Sequence, residues 1–158
     1  MPDGSTRPLN GIVFRAEQGP STVRSARYTL ELRPWFLRLD QERTCAVFQN
    51  MSVPEIVTKV CTDAGFGHIR NALSSTYPAK EYTVRYGETS FAFLSRLMAE
   101  AGIVYFFEHS GSAHTLVMAD SSDVFADCPQ GATLEWLPDA QDKEGGPPTE
   151  PSAHVFEL

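Results

Sequence analysis

The sequence predicts an α+β fold in which two short amphipathic helices lie against a mostly antiparallel sheet. Three observations predict it. Two apolar stripes recur at intervals of three and four, each opened by a hydroxyl residue and closed by glycine. Several other runs alternate apolar and polar residues with the period of two that half-buried strands require. Two aromatic and β-branched runs, Ile103 to His109 and His114 to Ala119, flank a short glycine-containing loop. At 158 residues, 42% of them hydrophobic and including 10 Phe, 5 Tyr and 2 Trp, the chain has material for a core of its own.

In chain order, Ile12, Phe14 and Ala16 alternate with Val13, Arg15 and Glu17, and Tyr28, Leu30 and Leu32 alternate with Thr29, Glu31 and Arg33. Gln18-Gly19-Pro20-Ser21-Thr22 between them reads as a turn, so Leu9 to Pro34 is expected to form a β-hairpin or two neighbouring strands. Two strands alone are marginal in water, and this sheet is expected to continue elsewhere. Pro34 ends the second strand, and Trp35 to Leu39 begins a short helical turn.

Ser52-Val53-Pro54-Glu55 spells a capping box, with proline in the first turn where its missing N–H costs nothing. Val53, Ile56, Val57, Val60, Cys61 and Ala64 follow on one face, and Gly65 stands at the left-handed C-cap, giving a helix over about Val53 to Ala64. Tyr82 to Tyr86 reads as a strand. Thr89 then caps a second helix with the stripe Phe93, Leu94, Leu97, Met98 and Ala101, closed by Gly102. Ile103 to His109 and His114 to Ala119 are the strands of a hairpin with a four-residue loop, Ser110 to Ala113. Leu134 to Leu137 predicts one more strand, Pro138 to Pro151 an acidic Pro/Gly-rich linker, and Ala153 onward the start of another strand. Three segments result: 1–40, 41–120 and 121–158.

Composition excludes several functions. A net charge of −7 without a Lys or Arg run leaves nothing to neutralise phosphates, so nucleic acid is not an expected partner. Cys45, Cys61 and Cys128 are odd in number and widely spaced, which indicates neither a disulfide framework nor a zinc knuckle. The N-terminus lacks the apolar core of a secretory signal and no run is long enough to span a bilayer, so no stable membrane anchor is expected, and export would proceed without a cleaved signal.

Candidate chemistry is thin. His109 and His114, with Glu108 and Asp120 nearby, hold the minimum ligand set for a zinc site, but at a solvent-facing hairpin end such residues read as ordinary edge residues. No Gly-x-Ser-x-Gly elbow accompanies the serines, and Ser52 and Ser74 have structural roles to fill first. Gly65-Phe66-Gly67 lacks the strand-before-helix context of a phosphate loop and reads as a helix stop. Glu81, Arg85, Glu88 and Arg96 suit a structural ion-pair network between strand and helix. No catalytic residue, cofactor or metal is expected. In the Tyr105-Phe106-Phe107 run both strand faces are apolar, which favours core packing first and a protein interface second. Trp35, Phe36, Tyr105 and Phe107 are the interface candidates.

Several words of the sequence, in order, carry a family resemblance: Leu9 to Val13, Ala26 to Trp35, Phe48-Gln49-Asn50-Met51-Ser52-Val53-Pro54-Glu55-Ile56, Tyr77 to Tyr82, Tyr86 to Phe91, and Ala101 to His109. Together they resemble the valine-glycine repeat protein G (VgrG, or Rhs element Vgr) spike proteins of bacterial type VI secretion and, more loosely, the late control D-like hub proteins of contractile phage tails. The resemblance runs to about Ala119. It implies a phage tail hub-like fold, with residues 1–40 as terminal strands of a first hub β-barrel and 41–120 as the α+β segment with two helices and a hairpin. It also implies a non-enzymatic trimeric tip protein that docks on rings of haemolysin-coregulated tube protein and carries effector cargo. Such a protein is assembled in the cytoplasm and then secreted. The alternatives are a phage baseplate hub and, from another class, a small hydrolase or metal-binding domain. The family's early barrel strands, oligonucleotide-binding-fold neck and β-helical needle have no counterpart in these residues, so a fragment or shortened copy is expected, with unpartnered strands that favour self-association.

Overall fold

A computed structural model describes residues 8–21 and 26–125, and the backbone of two short strands at Glu135–Trp136 and Ser152–Ala153. Pro8–Ser122 form one compact unit. Its elements are β1 (Ile12–Ser21), β2 (Ala26–Arg33), a 3-10 turn (Trp35–Asp40), β3 (Arg43–Met51), α1 (Val53–Asp63), β4 (Ile69–Ala72), β5 (Lys80–Thr89), α2 (Ser90–Glu100), β6 (Val104–Ser110) and β7 (Ala113–Ala119). The α+β class and both helices agree with the sequence pattern.

The strands form open sheets. β1 pairs antiparallel with β2, β3 pairs antiparallel with β5, and β4, β7 and β6 form a three-stranded sheet in which β4 runs parallel to β7. No closed barrel occurs among the described residues. In the remainder of the chain Glu135–Trp136 (β8) runs parallel to Ser152–Ala153 (β9). The acidic Pro/Gly-rich stretch between them, Pro138 to Pro151, lies outside the described residues.

Both helices end where their caps dictate. The Glu55 carboxylate accepts from the Ser52 amide and from the Ser52 hydroxyl, each at 2.7 Å, and this holds the carboxyl below its ordinary range. The Thr89 hydroxyl accepts from the Ala92 amide at 3.1 Å and donates to Asp40 at 2.6 Å, so one side chain caps α2 and ties it to the 3-10 turn. Gly65 and Gly102 stop the helices at φ of 86° and 69°, a region that L side chains avoid.

The core lies between these helices and the sheets. Ile56, Val57 and Cys61 of α1 and Phe93, Leu94, Leu97 and Met98 of α2 are buried with Trp35, Phe36, Phe48, Ile103, Leu116 and Met118. Phe48 stacks on Phe93 at 5.4 Å and Phe36 meets Tyr105 at 5.1 Å. Burial of each such side chain contributes roughly 1.5–3 kcal/mol, so the stripe positions dominate the stability of the unit.

Four expectations need correction. Gln18 to Ser21, expected in a turn, belong to β1: the strand continues through Ser21, which pairs with Ala26, and a register shift absorbs Gly19 and Pro20. A two-strand ribbon tolerates proline at such an irregularity because an edge strand has spare N–H positions. The connection itself, 22–25, lies outside the described residues. The β6–β7 loop has two residues rather than four, since Ser110 pairs with Ala113 and Gly111 takes the tight turn. β3 and β4 had no expected counterpart. β3 is short of strict alternation, with Val47 apolar on its outer side, and the four-residue β4 carries Arg70 and Asn71. Finally, β6 is packed unevenly: Tyr105 and Phe107 are half-buried against the core, while on the other face Val104 is exposed and Phe106 half-buried opposite the fully buried Val117.

Candidate interaction surface

The β1–β2 hairpin sorts its side chains cleanly into two faces. Cross-strand partners share a face, and the register places Val13 opposite Leu32, Ala16 opposite Leu30 and Gln18 opposite Tyr28. The other face carries Ile12 opposite Arg33, Arg15 opposite Glu31 and Glu17 opposite Thr29. On that polar side Arg15 pairs with Glu17 and Arg33 with Glu31, and the Arg33 guanidinium sits 4.0 Å over the ring of Phe14. Among the described residues the apolar side has no such cover: Val13, Tyr28, Leu30 and Leu32 are all more than half exposed.

A second bare face belongs to β3–β5. Its inner side is filled, with Phe48 and Thr83 buried opposite one another. Its outer side pairs Val47 with Val84 and sets Tyr82 and Tyr86 along the same row, Val47 being 62% and Tyr86 83% exposed. Apolar rows of this kind on adjacent strands mark interaction sites far more often than scattered surface leucines do.

The four aromatic residues read from the sequence as interface candidates are held by their own chain. Trp35 and Phe36 are 5% and 1% exposed, and Tyr105 and Phe107 are partly buried against them. Trp35 stacks on Phe66 with centroids 4.7 Å apart and meets Phe107 edge-on at 6.2 Å. The sequence did carry the signal for the exposed rows, because Tyr28, Leu30 and Leu32 alternate perfectly. Alternation reveals which face is apolar but does not say whether anything lies on it.

The histidine pair is not a solvent-facing edge. His109 and His114 face each other across β6 and β7 with rings stacked 5.7 Å apart, and His114 is buried. His109 Nδ1 accepts from the Asn10 amide at 3.0 Å, and His114 Nε2 accepts from the Trp35 amide at 2.9 Å. Burial first, then the neighbouring His109 and His68, lowers the pKa of His114. Glu108 points elsewhere and pairs with Arg70 of β4, the Nε–Oε2 distance being 3.2 Å. Asp120 accepts from the amides of Ser74 and Ser75, each at 2.8 Å, and from the hydroxyls of Ser74 and Tyr77, which holds its carboxyl well below the ordinary range. Among the described residues no group of His, Cys, Asp and Glu is placed to hold a metal ion.

The remaining polar candidates have structural partners. Arg96 binds Glu88 at 2.6 Å and Glu100 at 3.0 Å, while Arg85 donates to Ser90. Burial raises the Cys61 thiol to about 12, so it behaves as a small hydrophobe, whereas Cys45 is exposed. A surface groove of roughly 530 Å³ is lined by Arg38, Glu42, Lys59, Asp63, Arg85 and Ser90 among others, and no histidine or cysteine lines it. Among the described residues no helix is long and apolar enough to cross a membrane.

Comparison with known proteins matches residues 1–158 to the phage tail baseplate hub (GPD) family. The chain is 42% identical over 136 residues to the type VI secretion system spike protein VgrG1b of Pseudomonas aeruginosa, covering 86% of this chain and 18% of that protein. With VgrG1c of the same organism it shares 45% identity over 121 residues, 77% of this chain and 17% of that protein. A solved structure of the E. coli c3393 protein is similar at a TM-score of 0.72 and 29% identity, covering 84% of this chain and 36% of that one. That protein is described as a component of the type VI secretion system with structural similarity to the T4 bacteriophage tail proteins gp27 and gp5. The chain thus spans less than a fifth of the length of these curated relatives.

Proposed function

The chain belongs to the phage tail baseplate hub family, and we propose that it is the hub region of a VgrG-like type VI secretion spike, working by binding and force transmission rather than by catalysis. In this reading three copies assemble around a common axis, dock on rings of haemolysin-coregulated tube protein, carry effector cargo and leave the cell with the spike. The observation that carries it is the pair of exposed apolar rows, Val13, Leu30, Leu32 and Tyr28 on β1–β2 and Val47, Val84, Tyr82 and Tyr86 on β3–β5, on a chain of this family. Left bare they are a liability in water; covered by further hub strands or a neighbouring copy they become the interior of a larger sheet assembly. β1–β2 then supplies strands to a hub barrel that the described residues alone leave open.

A buried apolar interface suits this work, since each covered row resists separation without any bond being made or broken. Co-sedimentation of the purified chain with assembled tube rings tests the reading. Saturable binding, lost in a Leu30→Asp/Val84→Asp variant whose circular dichroism is unchanged, is the expected result. Binding that survives this variant, or none by the wild type, would contradict it. The second reading, a baseplate hub of a contractile phage tail, rests on the family description itself and predicts binding to a phage tail tube instead.

A further inference from the structure

The two residues that bracket the first hairpin, Asn10 before β1 and Trp35 after β2, each donate their backbone amide to an imidazole of the same cross-strand pair. Asn10 N–H reaches His109 Nδ1 at 3.0 Å and Trp35 N–H reaches His114 Nε2 at 2.9 Å. An imidazole nitrogen accepts only when it carries no proton, so both rings are held neutral, His109 protonated on Nε2 and His114 on Nδ1. We propose that the His109–His114 pair is a proton-operated clasp that holds the β1–β2 hairpin to the β6–β7 hairpin when neutral and lets it go when either ring takes up a proton.

Three features of the geometry make the clasp two-state. Protonation of His109 Nδ1 or His114 Nε2 turns an acceptor into a donor facing an N–H, which replaces attraction by repulsion. The rings stack 5.7 Å apart, so a second proton puts like charges face to face. Among the described residues no carboxylate acts on His114 to compensate. The ionisable neighbour acting on His114 besides His109 is His68, ahead of β4, which adds like charge when protonated. Glu108 of β6 is bound to Arg70 of β4, and Glu31 and Arg33 of β2 are bound to each other. Around His114 the packed rings are Trp35 and Phe107, which offer no charge. The other hydrogen bonds at these two points are long, Asn10 Nδ2 reaching the Gly111 carbonyl at 3.4 Å and the Trp35 indole the His114 carbonyl at 3.3 Å, while the Trp35 ring stays packed on Phe66.

Burial lowers the pKa of His114, so the sign is fixed. The open form binds a proton more readily than the closed form, and opening is favoured as pH falls below the ordinary histidine value. Hydrogen exchange, corrected for its intrinsic pH dependence, reads the effect directly. Between about pH 7.5 and pH 5.5 the Asn10 and Trp35 amides should lose protection by up to about tenfold per pH unit for each proton taken up. Amides of Val57, Val60, Leu94 and Leu97 should keep theirs. A His109→Asn/His114→Gln variant places a non-titrating oxygen at each acceptor position and should hold both amides protected across the range. Protection of Asn10 and Trp35 that does not change with pH in the wild type, or that falls equally in the variant, overturns the clasp. Should that variant not fold, the ring ¹⁵N shifts of the wild type decide: a titration whose midpoint coincides with the loss of Asn10 and Trp35 protection supports the proposal, and one that does not coincide refutes it.

Discussion

The hairpins β1–β2 and β6–β7 are built from similar material and sit in opposite surroundings. In β7, Leu116 and Met118 are fully buried in the core beneath the helices, and Val117 on the opposite face is fully buried as well. In β2, Tyr28, Leu30 and Leu32 are as apolar but alternate with polar residues, and they stand in the open. Strand character is therefore not what separates core from surface here. What separates them is whether the chain supplies a covering layer, and α1 and α2 cover the β4–β7–β6 sheet and the inner side of β3–β5 while nothing comparable covers β1–β2 among the described residues.

Substitutions in the two regions sharpen this contrast. The largest effect belongs to Val57→Asp on the fully buried stripe of α1, which should cost roughly 3–5 kcal/mol because the charge finds no partner there. Denaturant unfolding checks it, and a midpoint equal to wild type would mean the stripe is not packed as described. Phe93→Ala should cost a similar or slightly smaller amount, about 3–5 kcal/mol, through the cavity left beside Phe48. Next in size is Ser52→Ala, about 1 kcal/mol from the lost cap of α1, read as a lowered thermal midpoint. At the small end, Leu30→Asp should change the unfolding midpoint of the monomer by no more than about 0.5 kcal/mol, since the residue is exposed before and after. A loss comparable to that of Val57→Asp would place a hidden layer on β1–β2.

A pH titration of stability separates a further contact. Asp120 has a depressed carboxyl pKa, mainly because of the Ser74 amide, so the unfolded chain takes up its proton first as pH falls. The stabilisation is complete above about pH 5 and is lost as pH drops through the carboxylate range. Asp120→Asn should flatten that part of the profile, and an unchanged slope would assign the acid sensitivity elsewhere.

Much of this arrangement was legible in the residues. Ser52 and Glu55, Thr89, Gly65 and Gly102 announce their helices because caps are local chemistry, complete within four residues. Period-two runs announced β2 and the existence of β1, though a bulge between Val13 and Arg15 sets Val13 rather than Ile12 on the face of Ala16. β7 was announced by its apolar run beside a glycine-containing loop. β3 and β4 escaped because their pairing is set by distant partners, Phe48 against Thr83 and Ile69 against Leu116. The aromatics Trp35 and Phe36 misled as surface candidates because a buried aromatic and an exposed one look alike until Phe66 and Tyr105 are brought against them. The roles of His109 and His114 depended on amides 99 and 79 residues away, which no spacing in the sequence reveals.

The central claim is that the bare rows on β1–β2 and β3–β5 are surfaces awaiting a partner, and light scattering across a concentration series tests it most directly. The account predicts that the average mass of the wild-type chain rises with concentration, and that Leu30→Asp/Val84→Asp restores a single monomer mass without loss of helical signal. A wild-type chain that stays strictly monomeric over the whole series, with Leu30 and Val84 as soluble as any polar surface, would contradict it.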